Sequence, residues 1–563
     1  MELLSGGEML VRALADEGVE HVFGYPGGAV LHIYDALFQQ DKINHYLVRH
    51  EQAAGHMADA YSRVTGKTGV VLVTSGPGAT NTVTPIATAY MDSIPMVILS
   101  GQVASHLIGE DAFQETDMVG ISRPIVKHSF QVRHASEIPA IIKKAFYIAS
   151  SGRPGPVVID IPKDATNPAE KFAYEYPEKV KMRSYQPPSR GHSGQIRKAI
   201  DELITAKRPI IYTGGGVVQG NASALLTELA HLLGYPVTNT LMGLGAFPGN
   251  DPQFVGMLGM HGNYGPNVLT NDCDVLIAVG MRFDDRVTGR LDKYAKQAKI
   301  IHLDIDPSEI DKNILAHVGV WGDCKETLPL LTMGIEQKDR TEWLNIFAGY
   351  AKEEYEQCIH EEMHPTAEAL SMAEVIHAVN EITKGDAVMV TDVGQHQMVT
   401  CRYAKFNQTR SNVTSGGLGT MGFGLPAAIG AKFGAPERTV IAVIGDGGIQ
   451  MTLQEFGTMM QTGVEVKVMI LNNEFLGMVR QWQQLFMDKR YSFVDIASPD
   501  YVMLANSYKI AAAKVSKRED LVDAVTKMLA HKGSYVLEVM VGKENNVFPM
   551  VPQGCSVSEI RLK

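Results

Sequence analysis

The sequence predicts an α/β protein with parallel sheets, organised in three blocks, and three observations carry that prediction. Short apolar, β-branched runs alternate with stretches of helical spacing, the pattern of strands joined by crossover helices. Several runs are apolar throughout rather than alternating, as in strands buried on both faces. The length of 563 residues exceeds what one hydrophobic core holds and suits three domains.

Met1-Glu2-Leu3-Leu4-Ser5 reads as the start of a helix, without the features of a signal or transit segment, so a cytoplasmic location is expected. Apolar runs at 21–23, 70–74, 96–100 and 157–161 are the strands of the first block. Between Thr166 and Gly194, Pro, Tyr, Lys and Ser dominate and apolar periodicity vanishes, which marks a linker. The second block has strand runs at 209–212, ending in Gly214-Gly215-Gly216, and at 274–279 and 299–303; it ends near Thr332. Residues 335–364 are charge-rich with helical spacing and predict a surface helix. The third block starts near Thr366. In it, runs at 439–444 and 464–471 stop at Gly445 and Asn472, and helical spacing over 453–461 lies between them. Segments 69–80 and 439–452 share a strand, a Gly-x-Gly turn and a helix, consistent with domain-level duplication.

Composition narrows the function classes. With 45% hydrophobic and 20% charged residues and no apolar run of eighteen, the chain reads as soluble and not membrane-spanning. Cys273, Cys324, Cys358, Cys401 and Cys555 form no Cys-x-x-Cys, so neither a disulfide framework nor a zinc site is indicated. A net charge of −11 without a Lys/Arg block argues against nucleic acid or an anionic membrane. An anionic ligand needs local cations or backbone N–H groups instead.

Those groups belong at the strand ends of the third block. Gly445-Asp446-Gly447 and Asn472-Asn473 are each ordinary turn formers, but they fall at the carboxyl edge of one β-α-β unit, where open α/β sheets bind ligands. An Asp carboxylate, an Asn carbonyl and a nearby backbone carbonyl are hard oxygen ligands that suit Mg²⁺ leaning on ligand phosphates. This pair of segments resembles the diphosphate and Mg²⁺ motif of thiamine diphosphate enzymes. The resemblance implies Asp446, Asn473 and the Phe475 carbonyl as metal ligands, and a fold of three doubly wound parallel-sheet domains of the thiamine diphosphate enzyme type.

Further strings narrow the match. Phe23-Gly24-Tyr25-Pro26-Gly27-Gly28-Ala29, Arg49-His50-Glu51-Gln52-Ala53-Ala54, Ser75-Gly76-Pro77-Gly78-Ala79-Thr80-Asn81 and Gly477-Met478-Val479-Arg480-Gln481-Trp482 are similar to the acetohydroxyacid synthase (acetolactate synthase) catalytic-subunit family, over nearly the whole chain. On that resemblance Glu51 hydrogen-bonds the aminopyrimidine ring of the cofactor, favouring the imino form that removes the thiazolium proton. Gln395, His396, Gly419 and Gly447 hold the diphosphate side, and Met421 props the cofactor into its bent shape. Gly28, Gln114 and Lys163 lie at the reacting centre and substrate access, and Phe113, Met478, Val479 and Trp482 shape the acceptor pocket.

The middle block resembles the flavin-containing biosynthetic branch through Gly259-Met260-His261-Gly262, the string from Arg282 to Arg286, and His302-Leu303-Asp304-Ile305-Asp306-Pro307. That implies FAD contacts at Arg153, Gly214, Gly215, Thr240, Leu241, His261, Gly280, Arg282, Asp304 and Asp323. Without the resemblance, Gly214 to Gly216 support only a generic nucleotide site. One departure is Gly448-Ile449, where relatives often carry Ser or Ala and Phe.

The resemblance implies a two-carbon transferase. It decarboxylates pyruvate and joins the hydroxyethyl unit to a second pyruvate, giving 2-acetolactate, or to 2-oxobutyrate, giving 2-aceto-2-hydroxybutyrate, the first common step of valine, leucine and isoleucine synthesis. Its expected domains are a pyrimidine-binding domain at 1–165, an FAD-associated domain at 190–333, a diphosphate and Mg²⁺ domain at 366–548 and a tail at 549–563 over the site. A homodimer or homotetramer with intersubunit active sites and a small regulatory subunit are expected. Two alternatives stand beside it: another thiamine enzyme, such as a 2-oxo acid oxidase or decarboxylase, and a non-catalytic regulatory homologue. Retention of Glu51, Asp446 and Asn473 disfavours the second.

Overall fold

In a computed structural model, which describes residues 2–180 and 182–563, the apolar runs assemble into three parallel sheets of six strands. The first runs, edge to edge, Asn44–Leu47, His21–Tyr25, Gly69–Val73, Met96–Gln102, Pro156–Pro162 and His128–Gln131. The second runs Phe254–Met257, Val237–Asn239, Pro209–Thr213, Val275–Val279, Lys299–Asp304 and Val318–Trp321. The third runs Asn412–Thr414, Val388–Thr391, Val440–Gly445, Lys467–Asn472, Tyr535–Met540 and Ala511–Val515. Helices cover both faces. In Gly69–Val73, Val70 and Leu72 enter one core while Val71 and Val73 enter another, which is why this strand reads as a continuous apolar run.

Local signals set many helix ends. Ser5 with Glu8 and Ser371 with Glu374 form capping boxes, and Gly66 and Gly463 end helices in the left-handed region at φ 74° and 66°.

Four expectations need correction. Leu3–Leu4 is a strand, not a helix start, and pairs antiparallel with Phe172–Ala173 inside the segment read as a linker; Met1 lies outside the described residues. Their partners are too far apart in sequence for any local pattern to show the pairing. Apart from Lys181, which is also outside the described residues, Tyr174, Tyr176, Met182 and Tyr185 of that segment pack on the first sheet's core, while Ser189 and Gly191 bond Asp323 and Thr327 of the second unit. Tyr174 donates to Asp16 at 2.6 Å, and Tyr185 stands over the Lys127 ammonium. The charged helix Thr341–Glu354 is not purely a surface element, because Trp343 and Phe347 are buried and Glu354 forms a buried ion pair with Arg402. Finally, Asp446 is not in a turn: it opens the helix Asp446–Thr452, which continues through a 3-10 turn at Leu453–Glu455 into Phe456–Thr462.

The first and third sheets share one core cluster. The helix Glu51–Thr65 crosses Gly424–Gly434 so closely that a Cβ on Gly430 would stand 2.0 Å from the Met57 carbonyl oxygen. Arg410 ties all three sheets' units together, donating to the Arg63 carbonyl at 2.7 Å, to the Val218 carbonyl and to the Asn221 side chain.

Candidate active site

The strand Val440–Gly445 delivers Asp446 to the first turn of a helix, where the helix dipole favours an anion. Close packing explains the glycines around it: a Cβ on Gly445 would stand 2.9 Å from His396 Nδ1, and one on Gly447 2.8 Å from Leu476. The adjacent strand delivers Asn473, whose Oδ1 accepts the Phe475 N–H at 3.3 Å and whose Nδ2 donates to Gln395 Oε1 at 3.4 Å. Ser498 bridges Asp446 Oδ2 and Asn472 Oδ1, each at 3.4 Å. Burial pushes the Asp446 carboxyl up to about 6 despite backbone N–H donors.

These residues border one cavity. Gln395, His396, Met421, Asp446, Gly447, Asn473, Phe475, Met478 and Val479 line it. Trp482 does not line it; it stands one turn further along the helix Gly477–Phe486, its ring tilted 34° against Phe486 with centroids 4.9 Å apart. Gly419 is also outside the lining, exposed at φ 69° in the loop before Met421. His396 is buried, its pKa is pushed down to about 4 by burial, and its Nε2 has no partner. A buried ring nitrogen without a partner fits a bound ligand that supplies one. Among the described residues no three His, Cys, Asp or Glu side chains gather to hold a metal. A cation here would therefore draw on one carboxylate, one carboxamide, a carbonyl and ligand oxygens, a donor set that fits Mg²⁺.

A second group sits at the carboxyl edge of the first sheet. Gly28 follows His21–Tyr25, Glu51 follows Asn44–Leu47, Gln114 follows Met96–Gln102, and Lys163 follows Pro156–Pro162. His50 caps the Glu51 helix by accepting the Gln52 N–H, and Asn81 Nδ2 donates to Glu51 Oε2 at 3.0 Å. Gln114 takes a left-handed φ of 61° against Gly76, and Phe113 beside it is 88% exposed. Among the described residues, none from this group lines the Asp446 cavity.

The residues implied for a flavin gather at the carboxyl edge of the second sheet. Gly214 and Gly280 touch, so that a Cβ on Gly214 would lie 2.1 Å from the Gly280 carbonyl. Thr240 caps the 3-10 turn Leu241–Gly243, Asp323 caps Cys324–Thr332, and Asp304 is buried with its carboxyl pushed up to about 7 by desolvation. His261 is buried with Nδ1 unpartnered, and Arg282 is half-buried in the loop after Gly280. Arg153 reaches over from the first sheet and pairs with Asp306 at 3.2 Å and Glu309 at 2.6 Å.

Sequence reasoning missed several contributors. Asn81 holds Glu51, Ser498 bridges Asp446 and Asn472, and Gln481 ties Gln395 to Val547, just ahead of the tail, by donating to and accepting from Val547. Asn81 and Gln481 carried a signal, as members of quoted strings, and Ser498 carried none.

Comparison with known proteins identifies the class. The C-terminal TPP binding domain model of the thiamine pyrophosphate enzymes matches residues 392–539, the central domain model 196–331, and the N-terminal TPP binding domain model 4–121. Three parallel sheets and a diphosphate-type cavity are thus those of a thiamine pyrophosphate (thiamine diphosphate) enzyme. The chain is 50% identical to the acetolactate synthase large subunit of Haemophilus influenzae, covering 100% of this chain and 99% of that protein. It is 49% identical to the acetolactate synthase isozyme 3 large subunit of Escherichia coli over 100% and 99%, and 45% identical to the acetolactate synthase of Mycobacterium bovis over 100% and 92%. The chain belongs to the acetolactate synthase large-subunit family of thiamine pyrophosphate enzymes.

Proposed function

We propose that the chain catalyses the acetolactate synthase reaction, joining a two-carbon unit from pyruvate to a second pyruvate or to 2-oxobutyrate. The observation that carries this is one cavity joining Asp446, Asn473 and His396 to the Met478 and Val479 wall, in a chain alike over its full length to acetolactate synthases. Thiamine diphosphate, when bound, supplies a carbanion-stabilising thiazolium. Asp446, Asn473 and the Phe475 carbonyl would hold Mg²⁺, and Gln395 and His396 would orient the diphosphate. Met421, at the cavity wall, would support the ring junction. Glu51, oriented by Asn81, would exchange a proton with the pyrimidine nitrogen. Gly28, Gln114, Lys163 and Phe113 would border substrate access, and Trp482 would back the acceptor wall.

Because Glu51 and Asp446 belong to separate clusters in one chain, a complete site takes Glu51 from one protomer and Asp446 from its partner, in a homodimer or homotetramer. The second sheet's edge fits FAD, with His261 Nδ1 free for an acceptor or donor. A small regulatory subunit would follow from the large-subunit name of the relatives. No helix among the described residues is long and apolar enough to cross a membrane, in keeping with a cytoplasmic enzyme. The test is incubation of purified protein with pyruvate, with and without 2-oxobutyrate, in Mg²⁺, thiamine diphosphate and FAD. Both acetohydroxyacids should form. Acetaldehyde or acetate as the sole product would assign a decarboxylase or oxidase instead.

A further inference from the structure

The loop that leads to Met421 is held at both ends by buried carboxylates, and the one at its start comes from another sheet. Residues 415–423 connect Asn412–Thr414 to Gly424–Gly434. From the helix Val83–Asp92, Asp92 Oδ1 accepts the Gly417 N–H at 2.7 Å and Oδ2 accepts the Gly416 N–H at 3.1 Å. Arg63 Nη2 donates to the same Oδ2 at 2.8 Å, and Arg63 is itself braced by Asp59 at 2.5 Å. The side chains of Arg63 and Asp92 are 5% and 1% exposed. One turn earlier on the same helix, the Thr88 hydroxyl shares a hydrogen bond with Thr420 at 2.8 Å. Gly417 has to be glycine for this approach, since a Cβ would stand 2.9 Å from Asp92 Oδ1. At the far end, Asp392 accepts the N–H groups of Gly422 at 3.1 Å and Gly424 at 2.8 Å. Met421 lies between the two anchors and lines the cavity.

We propose that Asp92, held by Arg63, is a positioning residue for thiamine diphosphate: it sets the 415–420 loop and thereby the Met421 side chain before the cofactor arrives. The inference rests on the assignment of the cavity to that cofactor. A carboxylate accepts both glycine amides and the guanidinium at once. A carboxamide cannot, because in either orientation its NH₂ faces a donor. With the tether lost, the loop samples other conformations, and binding has to supply the ordering that the wild-type loop already has.

The test uses the full-length chain with saturating Mg²⁺. Asp92→Asn should weaken thiamine diphosphate binding, read by quenching of intrinsic fluorescence, about tenfold or more, the scale of a lost hydrogen bond to a charged group. In cofactor-free protein, amide exchange over 412–423 should rise while exchange over 446–452 stays as in the wild type. Thr88→Val removes one hydroxyl contact while keeping the packing, and should weaken binding less, by about threefold; it serves if Asp92→Asn does not fold. Unchanged affinity together with unchanged exchange over 412–423 overturns the proposal. So does faster exchange everywhere with unchanged affinity, since that marks a merely structural role. If the wild type itself fails to bind thiamine diphosphate, the cavity assignment falls, and the exchange pattern still decides whether Asp92 orders the loop.

Discussion

Asp446 and Glu51 are both carboxylates in the first turn of a helix, yet they stand in different surroundings: Asp446 is buried beside Asn473, and Glu51 is half-buried against Asn81. Glu51→Gln keeps the shape and the Asn81 contact but removes the proton-accepting oxygen. Acetolactate formation should drop by roughly 10²–10⁴-fold with thiamine diphosphate affinity changed little, measured by product assay and cofactor titration. Glu455 offers a pH-dependent prediction away from the cavity. It accepts the Arg49 N–H and the Thr458 hydroxyl, and burial pushes its carboxyl up to about 7 from an ordinary 4.5. The unfolded chain therefore releases this proton first, and between about 4.5 and about 7 the folded state binds more protons. Stability from this group falls as pH rises through that window and levels off above it. Glu455→Gln should flatten the window, so the difference in denaturation midpoint between wild type and variant should shift toward the variant as pH rises from 5 to 7.

At the scale of elements, the crossing of Glu51–Thr65 over Gly424–Gly434 is set by backbone contact at Gly430. Gly430→Ala drives a methyl into the Met57 carbonyl and should cost roughly 1–3 kcal/mol or more in denaturant unfolding. Gly349→Ala, on a helix position with open space around it, should instead be neutral or stabilising by up to about 1 kcal/mol. The elements themselves were unevenly legible. The strand run at 70–74 fell within a residue or so of the observed strand Gly69–Val73, because a strand buried on both faces is apolar at every position. The strand expected over 464–471 begins only at Lys467. The Asp446 helix was hidden because Gly-Asp-Gly has turn-like composition and only the close packing of His396 and Leu476 explains its glycines. Glu354 in its charged helix gave no hint that it would be buried, since its partner Arg402 lies 48 residues away.

At the scale of the whole molecule, the separation of Glu51 from the Asp446 cavity predicts complementation. Chains carrying Glu51→Gln and chains carrying Asp446→Ala should each be inactive alone. Co-expressed, they should recover up to about a quarter of wild-type activity, because half of a random dimer population is mixed and each mixed dimer has one intact site. No recovery would place both residues in one chain's site.

The sequence by itself determined the parallel α/β class, the carboxyl-edge position of Asp446 and Asn473, and the family, because strand burial, helix caps and contiguous motifs are local patterns. Tertiary structure decided which of those motifs meet. Gln395 and His396 join Asp446 around a cavity that Glu51 does not line, Leu3 pairs with Ala173, and Asp92 reaches Gly417 across 325 residues of chain. Such partners are chosen by packing and by the need of buried charges and amides for each other, and neither leaves a periodic trace in the chain.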